Sequence, residues 1–579
     1  MPGSDDAVQR AVHALETGGM AVWIRRALAF LLIVGLALFY LLHEFRGLAT
    51  SQAMDQAQIG RELLHGHGWK TKFARPLAAG QLQRRGKDVA GKIWTDTYNA
   101  PLPPLVDAIA LLPVRSHLKM TTRDIVYLGD KMIALLSMVF FLASVVVLFL
   151  IACRLFDQYL AVLGCALVLL GDTFWQYSLS GLPQMLLLLL FNLTLYVLVR
   201  AIEARAEGRA VLRLLGLAGA GFGLLALSHA LTIWIFLPTL IFAALYFRPR
   251  LWAAIWMLAP FLLLYTPWLL RNYLVCGNPA GVALFSFFDQ IGMSEAGHMR
   301  HLAIDYQGMS IGVLRDKISD NVAGQASRIL QYFGWSVVAL FFFAALLHRF
   351  RRAVTATTRW FVFVMWGGAV VGMAVYGVNE EQGVAANQLH LLFVPIMTCF
   401  GLAYLLVLWN RLQITSRLAR FAFLTLFFVL CGGPMIFNLL FASAKTGVRW
   451  PPYVAPYIAV INDWMKPEEI TATDMPWAVA WYADRRAVWL PDTIRDFTDM
   501  SDYDLLGGKI NGLYLTPISG SQNTLKNIVE GEYKGWAPVI LRSVDLKKFP
   551  LPWATLLPLD DECIFFSDHD RRKASTDQP

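Results

Sequence analysis

The chain has 579 residues, 57% of them hydrophobic and only 16% charged, with a mean hydropathy of +0.50. Soluble domains are about a quarter charged, so an ordinary soluble enzyme is excluded and most of the chain is expected in a bilayer. The net charge of +9 does not imply a nucleic-acid partner, because the basic residues punctuate the apolar blocks instead of forming one patch.

A polar lead ending at Arg25 and Arg26 precedes the first apolar run and predicts a retained signal anchor, with helix one near 27–43. A first outer loop, 44–130, follows. Further spans are expected at 131–151, 158–172 and 182–200. The stretch 211–247 is long enough for two crossings at roughly 20 residues each, with Leu227–Ala230 as the turn between them. After a span at 251–270 comes a second long outer loop, 271–331, and then spans near 332–348, 360–377, 389–409 and 420–441. The fold class is a mainly α membrane bundle of about eleven crossings. The short turns Arg154–Asp157, Arg200–Arg213, Arg248–Arg250, Arg349–Arg359 and Arg411–Arg420 hold fourteen Arg and no Lys. The alternate turns Asp172–Gly181 and Asn379–Gln388 hold neither. The positive-inside rule puts the Arg-bearing turns and the N-terminus in the cytoplasm, so the chain ends outside.

From Lys445 charges return, and Pro451, Pro452 and Pro456 mark a linker. The expected organisation is a multi-pass module, 1–444, in the inner (cytoplasmic) membrane, then a small soluble α/β domain, 445–579, on the periplasmic or extracellular face. In that domain Ile470–Thr473, Ala487–Leu490 and Gly512–Leu515 read as strands, Pro476–Ala483 as a short helix and Asp568–Pro579 as a frayed tail. Six cysteines show no metal-ligand spacing.

The first outer loop carries the most chemistry. Thr50 or Ser51 can cap a helix over Gln52–His65 that stops at Gly66. Ala53, Ala57, Gly60 and Leu64 form one stripe, and Asp55, Gln58, Glu62 and His65 another, which would present Asp55 at the membrane surface. Asp55 is then either a general base for an acceptor hydroxyl or amine, or a carboxylate on a solvated helix face. Lys70, Lys72 and Arg75 after the helix, Lys131 at the start of helix two and Arg271 at the end of helix seven are phosphate-binding candidates or, one by one, interface anchors.

The run Met54–Arg61 with Gly66-His67-Gly68-Trp69 resembles the first outer loop of the polytopic GT-C glycosyltransferases. It is most similar to bacterial members of glycosyltransferase family 39, related to protein O-mannosyltransferases and lipid A aminoarabinose transferase. Tyr98–Leu105, Pro267–Tyr273 with Gly277-Asn278-Pro279, Asn387–Pro395 and Trp477–Tyr482 resemble further segments of that family. The resemblance implies transfer of a sugar, with inversion, from a polyprenyl-phosphate donor to a lipid, glycan or protein acceptor on the outer face. It implies Asp55 as base and Gln58, Arg61, Gln184, Asn387 and His390 as substrate contacts. The chain departs from many relatives at Gln56 and Gln184, where they carry acids. Glutamine cannot take a proton, so a catalytically inactive scaffold stays open, and a metal-assisted reaction, which wants several carboxylates, is not expected; nor is any cofactor. A lipid or glycan transporter is the alternative from another class. It would show repeats and midplane ionisable groups, whereas here ionisable residues concentrate in the outer segments.

Overall fold

The computed structural model describes residues 19–48, 50–86, 93–121, 124, 126–289, 291, 297–304, 306, 309–381, 383–414, 416–441, 455–520, 529, 532–541, 549–556 and 563–571. Most of the polar lead, the 444/445 boundary, Pro451, Pro452 and the tail from 572 lie outside these residues.

The protein is mainly helical. Among the described residues, seven helices are long and apolar enough to cross a bilayer: Arg26–Glu44, Leu128–Leu155, Gln184–Ala206, Arg250–Cys276, Ala353–Tyr376, Val394–Arg411 and Arg417–Phe441. Gln158–Leu169 and Asp172–Leu179, bent by 57°, make an eighth if taken as one span. The remaining expected crossings are also helical but shorter: Leu212–Ser228, Ile233–Tyr246 and Val337–Ala345. Each of the eleven expected crossings has a helix, and seven or eight of them meet the length and composition of a span among the described residues. The expected turn at 172–181 is corrected. Its residues are helical as far as Leu179, because Trp175 donates its indole N–H to Leu169 O at 2.8 Å and so closes the preceding helix at the bend.

The N-terminal segment through Phe45 is one compact unit, built on the helix Gly19–Phe39 and a π-turn Tyr40–Glu44. The rest of the described chain is a second. Within it Leu128–Leu155 packs on Gln184–Ala206, Leu212–Ser228 on Arg250–Cys276, and Val337–Ala345 on Val394–Arg411. Lipid tails offer helices no hydrophobic incentive to associate, so close backbone approach over small residues does the work. A Cβ on Gly219 would fall 2.0 Å from Met257 O, and one on Gly401 1.9 Å from Val338 O. The Arg-bearing turns meet at one end of this bundle. Arg154 pairs with Glu203 at 3.0 Å, and Arg352 donates to Phe156 O at 3.0 Å.

At the other end lies a six-stranded sheet of order β2-β5-β4-β6-β8-β7. Its strands are β2 (Phe73–Ala74), β4 (Ile470–Thr473), β5 (Arg486–Trp489), β6 (Ile510–Leu515), β7 (Trp553–Leu556) and β8 (Ile564–Ser567). The first four in that order run parallel, and β8 pairs antiparallel with β6 on one side and with β7 on the other. Val488, Leu513, Phe497 and Trp536 share its core. β2 comes from the first outer loop, with Phe73 opposite Ala487. The described residues from 455 on therefore do not pack as a separate unit: their sheet is completed by residues some 400 positions earlier. Two short strands, β1 (Lys70–Thr71) and β3 (Trp94–Thr95), pair antiparallel as a separate two-stranded ladder.

Candidate active site

The helix Ser51–Leu64 forms where expected. Thr50 is its N-cap, its side chain accepting from Ala53 N at 3.2 Å. Its environment is not the expected one, because both stripes are buried from Ala53 through Glu62, and only Leu64 and His65 at the end reach the surface. One side packs on the helix Leu102–Leu111, where Gly60 leaves no room for a Cβ. The other meets the segment Pro476–Ala483. Asp55 is 0% exposed, so it does not sit on a solvated helix face. The reason is a full set of polar partners. Gln58 Nε2 donates to Oδ1 at 3.1 Å, and Arg75 Nη2 and Asn99 Nδ2 donate to Oδ2 at 2.6 and 2.7 Å. A buried carboxylate is tolerated when paired and hydrogen-bonded in this way.

A second carboxylate stands beside it. Asp96 accepts from Asn99 N at 3.0 Å and Asn99 Nδ2 at 3.4 Å. Burial, and then the charge of Asp55, push its pKa up to about 6 against the opposing pull of Arg75 and Arg271. Arg75 is clamped between aromatic faces, its guanidinium carbon 4.2 Å from the Phe73 ring centre and 3.7 Å from that of Tyr98. Only Nη2 is spent on Asp55, and Nε is buried without a partner.

Arg75 forms part of the wall of a cavity of about 200 Å³. Four stretches of chain converge there. The first outer loop gives Arg75 and Tyr98, the second long loop Asp289, the segment before Val394 gives Glu381 and Asn387, and the sheet region gives Trp477, on the helix Pro476–Ala478, and Trp489, on β5. Burial raises the pKa of Asp289. Glu381 accepts from Ser51 N and Oγ, both at 2.7 Å, and so closes the first turn of the Asp55 helix. Trp477 and Trp489 meet edge to face at 5.7 Å.

Of the residues named from sequence, Arg75 and Asn387 line this cavity, and Asp55 stands directly behind Arg75. Gln58 ties the helix to the β1 strand, donating to Thr71 Oγ1 at 2.5 Å and accepting from Lys72 N at 3.1 Å. Arg61, 2% exposed, donates to Trp481 O and Ala480 O at 2.8 and 2.6 Å and pairs with Asp484 at 2.7 Å. It serves the carbonyl end of a helical turn rather than the cavity. Lys72 is held by Asp484 at 2.6 Å and Glu62 at 3.2 Å. Arg271 donates to Asp96 O at 2.6 Å and Asn272 Oδ1 at 2.8 Å. Gln184 donates to Ala386 O at 2.5 Å. His390 is fully buried, accepting from Trp366 Nε1 at 3.0 Å and meeting Gln325 Oε1 at 3.1 Å. Lys70 and Lys131 are exposed and outside the lining. The expected cluster of five phosphate-binding cations is therefore dispersed. Asp96, Asp289, Glu381 and Trp489 were not singled out from sequence. The acidic pair Glu380-Glu381 in a turn free of Lys and Arg was the one available signal.

Bundle, outer-loop helix and terminal sheet together define the GT-C fold of polytopic membrane glycosyltransferases. Neither a protein-family model nor a curated protein matches the sequence. Among solved structures, the chain is similar to the oligosaccharyltransferase AglB from Archaeoglobus fulgidus in complex with an inhibitory peptide and a dolichol-phosphate, at 11% identity and a TM-score of 0.51, covering 89% of this chain and 72% of that one. The same archaeal enzyme in complex with Zn and sulfate matches at 12% identity and 0.50, over 85% and 68%. ArnT from Cupriavidus metallidurans bound to undecaprenyl phosphate gives 13% and 0.48, over 95% and 99%.

Proposed function

We propose that the protein is a hexosyl- or pentosyltransferase that moves a sugar from a polyprenyl-phosphate donor to an acceptor at this cavity. The observation that carries the reading is Arg75, a cavity-lining guanidinium with a spare buried donor and a paired carboxylate directly behind it. Guanidinium forks match phosphate geometry. Aromatic faces with a few placed polar groups, here Tyr98, Trp477 and Trp489 with Asp289, Glu381 and Asn387, suit a sugar, whose ring faces are apolar and whose rim carries hydroxyls.

The donor phosphate takes Arg75 from Asp55. Asp55 Oδ2 then accepts the proton of the acceptor O–H or N–H. The acceptor atom attacks the anomeric carbon opposite the phosphate, a bond to C1 forms, the C1–O bond breaks and polyprenyl phosphate leaves with the electron pair, held by Arg75. Attack from the opposite face inverts the anomeric centre. No metal or cofactor is given a role in this step. In this reading the Arg-bearing turns face the cytoplasm of an inner-membrane protein by the positive-inside rule, and the cavity faces the periplasm. The test is incubation of membranes carrying the protein with a panel of radiolabelled polyprenyl-phosphate sugars. Transfer of label from at least one donor, absent from membranes lacking the protein, is expected. Label that crosses the bilayer while staying on its lipid would replace this reading by transport.

A further inference from the structure

The end of the Asp55 helix carries a group of side chains the transfer reaction does not use. Gly66, at φ +82°, turns the chain back, with His67 N donating to Glu62 O and Gly66 N to Leu63 O, both at 3.0 Å. This is a Schellman motif, which brings the residue two beyond the cap against the residue three before it. Those positions usually hold an apolar pair. Here they hold His67 and Glu62, with Nδ1 2.7 Å from Oε2, and the cap residue between them is His65.

We propose that Glu62, His65 and His67 form a zinc site. One ligand atom from each lies within 4.8 Å of the other two. Ligands around one tetrahedral zinc, each about 2.0–2.1 Å from the ion, stand about 3.3 Å apart, so side-chain rotation within the fixed turn closes the set. Imidazole and carboxylate are the donors zinc favours. Both histidines are exposed, which leaves the fourth position to water, whereas Glu62 is fully buried and anchors the ion to the helix. Lys72 does not block the site. Its Nζ lies 3.2 Å from Oε1, the other carboxylate oxygen, and is itself neutralised by Asp484 at 2.6 Å. The carbonyl end of a helix also favours a cation. Glu62 follows Asp55 by seven residues, about 10 Å along the helix axis, so the ion staples the first outer loop without touching the reacting atoms.

The test uses the full-length protein in detergent, stripped with chelator and titrated with Zn²⁺ alone. One ion per chain at micromolar affinity or tighter is expected, with Co²⁺ giving the visible absorption of a four-coordinate site. The double variant His65→Ala/His67→Ala should bind at least about 10-fold more weakly, and its melting temperature, lowered without metal by loss of the His67–Glu62 hydrogen bond, should no longer rise when zinc is added. Unchanged zinc affinity in the double variant, or no binding by the wild type up to about 100 μM, a level at which the ion would add little stability, overturns the proposal and leaves a hydrogen-bonded His67–Glu62 pair.

Discussion

Arg75 and Asp55 are the two side chains on which the proposed chemistry turns. Asp55→Asn keeps size and hydrogen bonding but removes proton acceptance, so turnover should fall by about 100-fold or more while donor affinity changes little. Arg75→Ala should instead weaken donor binding, with about 1.5–3 kcal/mol at stake for a charge-assisted bond. Lys70→Ala, exposed and outside the lining, is the control. Steady-state kinetics with separated kcat and KM distinguish the three. Asp96 supplies a pH prediction. Its folded pKa, near 6, is above the unfolded value of about 3.9, so the native state binds the extra proton in that window and stability falls as pH rises through it, by on the order of 2–3 kcal/mol. Melting temperatures between pH 4 and 7 should show this slope, and Asp96→Asn should flatten it.

At the scale of elements, the Asp55 helix shows what the sequence made legible and what it did not. Its cap, its length and its stop at Gly66 follow from local chemistry, and the structure reproduces them within a residue. Its burial did not follow, because the groups that satisfy Asp55, Arg61 and Glu62 come from Asn99, Arg75, Ala480, Trp481 and Lys72. No periodicity announces partners that arrive from other parts of the chain. The strands read at 470–473, 487–490 and 512–515 were legible as short apolar runs, and the structure has them at 470–473, 486–489 and 510–515. Phe73–Ala74 was not, since two residues carry no alternation. Gly60 tests the packing directly. A Cβ there would lie 2.9 Å from both Asp107 Cβ and Pro104 O, so Gly60→Val should cost about 1–3 kcal/mol, measured as a lowered melting temperature, with activity lost alongside because the same helix holds Asp55.

For the whole molecule, the segregation of Arg to one end of the bundle predicts which turns face which compartment. Cysteines introduced at Asn379 or Asn387 should react with an impermeant thiol reagent applied from outside, and those at Arg349 or Arg352 only after the membrane is opened. The reverse pattern would move the cavity to the cytoplasm. The edge strand β2 carries a consequence for synthesis. Phe73 and Ala74 find their parallel partners at Ala487 and Val488, and long-range parallel pairing is slow to form. At roughly 5–20 residues per second, the ribosome delivers those partners tens of seconds after β2 has emerged. Throughout that interval the nascent chain has its early helices but no finished site wall, so a truncated translation product is a membrane protein without a reaction chamber.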